Sequence, residues 1–120
     1  MIRFDDIVEK LNPYLKSSDI DEIKKAYVYS AKVHAGQKRY SGEPYMIHPM
    51  EVTSILADIK LDKNSIITGL LHDTIEDTLA TEDDIKKLFG SEVSELVNGV
   101  TKIGQLSISS KFERQAENFR

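Results

Sequence analysis

The sequence predicts an all-α fold, a helical bundle, from three observations. Apolar residues recur at spacings of three and four along most of the chain. Capping residues, prolines and glycines punctuate those runs at intervals suited to helices of two to four turns. No stretch alternates apolar and polar residues for long enough to make a strand. The 120 residues allow one domain with one core, so residues 1–120 are read as a single unit.

Phe4, Ile7, Val8 and Leu11 mark a short first helix, interrupted by Pro13 and the polar Ser17-Ser18-Asp19 run. Asp19 is the expected cap of a second helix with Ile23, Ala26, Tyr27 and Val33 on one side and Gly36 as its stop. From Gly36 to Pro44 turn formers and cations replace any hydrophobic period, which predicts an electropositive loop. Pro49 suits the first position of a third helix with Val52, Ile55, Leu56 and Ile59 inward, leaving His48 at its start.

Asp62 is the expected cap of a fourth helix that buries Ile66, Ile67, Leu70, Leu71 and Ile75 and carries His72, Asp73, Glu76 and Asp77 near its end. Thr81 and Asp84 have the spacing of a capping box for a short helix ending at Phe89-Gly90. Ser91 then starts a helix with Val93, Leu96, Val97 and Val100 inward, and Gly104 and Ser107 to Ser110 predict a loop. Phe112, Ala116 and Phe119 have helical spacing with no stop signal, so the bundle is expected to be incomplete at its C-terminus.

Composition narrows the chemistry. With 40% hydrophobic and 30% charged residues the chain has the balance of a globular protein. No apolar run reaches the ~20 residues of a membrane span and the first residues lack a secretory pattern, so a cytoplasmic location is expected. There is no cysteine, so disulfides and thiolate metal sites are excluded and any metal must use His, Asp or Glu. A net charge of −4 argues against a broad nucleic-acid-binding surface. It leaves room for a compact anionic ligand held by local cations and a divalent ion.

His72 and Asp73, adjacent on a helix, can approach one ion from neighbouring directions. His48 returns to the same point if the third and fourth helices pack antiparallel across the loop near Leu61. Such a set suits manganese, iron or zinc and leaves positions for water and phosphate. Glu76 and Asp77 each follow a candidate ligand by four residues, one turn along. On spacing alone, a packed histidine beside a solvated acidic helix end accounts for the same residues. An acidic helix end is disfavoured by the macrodipole and calls for a compensating cation. His34 fits packing or support of a ligand better than ligation. Lys38 and Arg39, with Tyr40 in the same loop, fit either solvated charges or a clamp for phosphate and base.

Taken together, the stretches HAGQKRYSGEPYMIHP (34–49), GLLHDTIEDT (69–78), Phe89-Gly90 and NGVTKIG (98–104) resemble, in order and spacing, the hydrolase domain of RelA/SpoT homologues. The resemblance runs from about residue 20 to the end. It implies a helical HD-superfamily fold that binds Mn2+ and hydrolyses the 3′-pyrophosphate of guanosine tetra- or pentaphosphate, giving GDP or GTP. By position, His48, His72 and Asp73 would be metal ligands and Glu76 and Asp77 the catalytic acids. Arg39 and Ser41 would contact the nucleotide, with Lys38, Tyr40 and Lys102 as further substrate-binding candidates.

Two departures accompany the resemblance. Tyr40 stands where family members often carry a second basic residue, which shifts base recognition toward stacking. The family's fourth metal ligand, an Asp in a later segment, has no counterpart here, so the chain is expected to be truncated before it. A non-catalytic nucleotide-binding module and an HD phosphohydrolase acting on another nucleotide are the competing readings. Truncation would expose apolar surface around Phe112 and Phe119, favouring a homodimer.

Overall fold

The computed structural model describes residues 2–38 and 42–103, and among these the regular structure is helix, with one isolated bridge between Lys38 and Pro44. The helices are α1 (Phe4–Leu11), α2 (Ser17–Val33), α3 (Ile47–Asp58), α4 (Lys63–Leu71), α5 (Thr74–Asp77), α6 (Glu82–Phe89) and α7, described over residues 91–103. The all-α expectation holds. Residues 104–120, with Phe112 and Phe119, lie outside the described residues, as do Arg39, Tyr40 and Ser41.

The core forms around α4, where six consecutive residues from Ile66 to Leu71 are buried. A helix buried on all sides needs partners on all sides. α2 and α3 pack against it, and Ile7 and Leu11 of α1, Ile85 of α6 and Val93 and Val97 of α7 complete the cluster. Each fully buried aliphatic side chain contributes about 1.5–3 kcal/mol relative to exposure, so the central helix is the most firmly fixed element. Gly69 lets α3 come close: a Cβ there would lie 2.8 Å from Leu56 Cδ1 and 3.1 Å from Thr53 Oγ1.

Several helix ends follow their local signals. The Asp62 carboxylate accepts from the Ser65 N–H at 3.1 Å and caps α4. Thr81 and Asp84 make the reciprocal capping box of α6, which stops at Gly90 with φ 96°. Other starts differ. α2 begins at Ser17, and Asp19 lies in its first turn instead of capping it. α3 begins at Ile47, so Pro49 is its third residue, where a missing N–H is still harmless because the first four donors of a helix have no partner within it. Its buried side is Pro49, Met50, Thr53, Ser54 and Ala57; Ile55 and Ile59 are exposed, because α1 and α4 contact the face one position round from the one the apolar residues suggest.

Candidate metal centre

The expected fourth helix is two helices. α4 ends at Leu71 and α5 starts at Thr74, with His72 and Asp73 at the break. Side chains end α4 by taking up its last carbonyls: His72 Nδ1 lies 2.7 Å from the Gly69 carbonyl oxygen, and Thr74 Oγ1 donates to the Leu71 carbonyl at 2.8 Å. With those acceptors satisfied, the helix need not continue. Asp73 takes φ −101°, ψ 0°, the sparsely used bridge conformation. Glu76 and Asp77 consequently belong to a separate one-turn helix and do not extend the acidic end of α4.

The bond to Gly69 assigns Nδ1 as the protonated nitrogen and turns Nε2 outward. His72 Nε2 lies 3.1 Å from Asp73 Oδ2, and His48 Nε2 lies 3.8 Å from the same oxygen. The two imidazoles meet edge to face at 5.3 Å between centroids. His48 reaches this point from the first turn of α3 because α3 and α4 run antiparallel, as the loop near Leu61 predicts. One donor atom from each of His48, His72 and Asp73 lies within 4.8 Å of the other two, the one such cluster among the described residues.

The electrostatics fit a cation at this point. Burial opposes a charged His72 ring, but the bonds to Asp73 and the Gly69 carbonyl outweigh it, and its pKa is raised. Burial likewise opposes the Asp73 carboxylate, yet His72, Tyr45 and His48 hold its pKa below the usual carboxylate range. Two imidazole nitrogens and a carboxylate converging without thiolate are a donor set suited to a divalent first-row ion. The Gly69 contact is the orienting hydrogen bond that metal-bound histidines characteristically make through their second nitrogen.

Glu76 and Asp77 are exposed on α5 and border an open cavity of about 760 Å³, lined also by Gln37, Tyr29 and Val33. The Asp77 Oδ2 accepts from the Tyr45 hydroxyl, and the Asp77 carbonyl accepts from Gln37 Nε2 at 2.8 Å. Burial first, then the carboxylates of Asp77 and Asp73, push the Tyr45 phenol far above its usual range, so it stays a donor. Lys38 is exposed beside its bridge to Pro44, and Lys102 is exposed on α7; neither belongs to the metal cluster. His34 is buried, stacked on Tyr45 at 4.1 Å, with Nδ1 3.2 Å from Gln37 Oε1, as its packing role predicts. Sequence reasoning missed Tyr45 and Gln37. Their signal was present, since both flank the cationic loop, but neither residue type announces a contact 32 or 40 positions away.

Residues 26–120 match the model of the HD domain family. The chain belongs to this family, in its RelA/SpoT branch. It is 61% identical over 98% of its length to a GTP pyrophosphokinase of Myxococcus xanthus. It is 46% identical over its whole length to the bifunctional (p)ppGpp synthase/hydrolase SpoT of Escherichia coli K12. It spans only 16% and 17% of those two proteins. A solved structure described as a metazoan orthologue of SpoT that hydrolyses ppGpp aligns with 72% of this chain and 49% of that one, at 33% identity and a TM-score of 0.63. No described helix of the domain is long and apolar enough to cross a membrane.

Proposed function

We propose that this HD domain hydrolyses the 3′-pyrophosphate of guanosine tetra- or pentaphosphate to GDP or GTP and pyrophosphate, as a cytoplasmic enzyme of the stringent response. The observation that carries the reading is the convergence of His48, His72 and Asp73, with His72 Nε2 left available by the Gly69 bond, beside two carboxylates on α5. The names of its relatives support it, although they cover synthesis as well as hydrolysis. Hydrolysis is favoured for this stretch because a carboxylate beside a metal site serves to activate water.

In this reading His48, His72 and Asp73 would hold Mn2+, which when bound would supply Lewis acidity toward the phosphoryl group and make a water easier to deprotonate. Asp77 accepts the proton of the attacking water, and Glu76 holds that water in line with the scissile bond. Arg39 pairs with phosphate and stacks on the base, aided by Tyr40. Ser41, Lys38 and Lys102 complete the substrate contacts.

The test is pyrophosphate release from guanosine tetraphosphate with Mn2+, compared with Asp73→Ala and with a metal-free control. Turnover lost in both controls establishes the hydrolase. Nucleotide binding with no turnover above the controls replaces it with a binding module.

A further inference from the structure

Asp77 is exposed on a helix of only four residues, a poor platform for a group that must meet a water at a fixed place. Contacts from Tyr45 and Gln37 compensate. The Tyr45 hydroxyl donates to Asp77 Oδ2 and also reaches the Asp73 carboxylate. Gln37 Nε2 donates to the Asp77 carbonyl, and Tyr45 N–H returns to the Gln37 carbonyl at 3.3 Å. The phenol ring is fixed in turn by stacking on the buried His34, 15° from parallel, and His34 is tied to Gln37.

We propose that Tyr45 is a positioning residue that sets the Asp77 carboxylate relative to the metal ligand Asp73, with His34 and Gln37 holding the phenol and α5 in register. A phenol has one proton to give. It is shared between Asp77 Oδ2 and the Asp73 carboxylate, whose Oδ2 also faces His72 and His48, and the other Asp77 oxygen is left for the water. Phosphate-binding residues on the same loop would then be linked to the hydrolytic carboxylate through a rigid pair of rings. This inference rests on the proposed hydrolase reading.

The experiment compares the chain with Tyr45→Phe, which keeps the ring stack, and with Gln37→Ala. Mn2+ binding by calorimetry, thermal unfolding, and kcat and KM for guanosine tetraphosphate are read for each. Tyr45→Phe is expected to keep its unfolding midpoint, to bind Mn2+ about tenfold more weakly, and to lose about 10- to 100-fold in kcat at saturating Mn2+ with KM unchanged. Gln37→Ala is expected to lose kcat while keeping Mn2+ affinity, because the Gln37 side chain bonds to the Asp77 carbonyl and to His34 and not to His48, His72 or Asp73. Tyr45→Phe with wild-type Mn2+ affinity and kcat overturns the proposal, as does a loss explained by a lowered unfolding midpoint. If the wild-type chain binds Mn2+ without turnover, the hydrolase reading alone fails, and the Mn2+ affinity of Tyr45→Phe decides the role of Tyr45. A wild-type chain that does not bind Mn2+ overturns both.

Discussion

His72 and Gly69 are joined by a 2.7 Å contact between the imidazole Nδ1 and the backbone carbonyl, so one side chain both closes the buried helix α4 and presents its second nitrogen to the candidate metal centre. His72→Ala should therefore abolish tight Mn2+ binding and also cost about 1–3 kcal/mol, the penalty of leaving a buried acceptor unpaired. Urea unfolding of the apo variant checks this, and an unchanged stability would sink the double role.

Metal affinity should rise with pH. In the apo domain His72 is held above the ordinary imidazole value, so its charged form adds stability that is full below the unfolded pKa and is lost as pH rises through the folded one. Mn2+ competes with a proton for the same nitrogen. Binding should strengthen steadily as pH rises until His72 has lost its proton, and release about one proton per ion below that point. Calorimetry in buffers of different ionisation enthalpy reads the proton directly; an affinity flat from pH 6 to 8 would contradict it.

Gly69→Ala tests the close approach of α3 and α4. The new Cβ gains up to about 1 kcal/mol in helix propensity but meets Leu56 Cδ1 at 2.8 Å and Thr53 Oγ1 at 3.1 Å. Overpacking of this kind costs about 1–3 kcal/mol. The expected net is a loss of about 1 kcal/mol, together with weaker Mn2+ binding as the histidine-bearing ends of the two helices separate. Unchanged stability and affinity would show that Leu56 yields freely.

Asp62→Ala should cost about 1 kcal/mol through loss of the α4 cap. The Ser65 bonds lower the Asp62 pKa, so its contribution is present above the unfolded value and is lost as pH falls through the folded one. The gap between wild type and Asp62→Ala in chemical denaturation should narrow only on acidification below the usual carboxylate range. A gap independent of pH down to that range and beyond would rule out the charged cap.

The parts legible in the sequence were those encoded locally. The capping pairs Asp62–Ser65 and Thr81–Asp84 span three residues each, and the buried run of α4 is continuous in the chain. The break at His72 was not legible because Leu71, His72 and Asp73 carry no proline or glycine; it depends on side chains bonding to backbone carbonyls three residues earlier. The face of α3 was misjudged at Ile55 and Ile59 because apolar character alone does not reveal which side a neighbouring helix will cover. Tyr45 and Gln37 were missed for a similar reason, since their roles exist only once these two side chains meet α5.

The burial of α4 divides the centre into two parts that open at different free energies. His72 sits on the end of the helix whose amides should exchange with solvent only in global unfolding, whereas Asp77 sits on a single exposed turn that can fray by itself. In the proposed metal site, retention of the ion would thereby be coupled to the fate of the whole domain, while the carboxylate side can open and close many times between unfolding events. A ligand that clamps Gln37 and Tyr45 onto α5 would slow exchange at Asp77 and Thr78 and leave the amides of α4 unchanged.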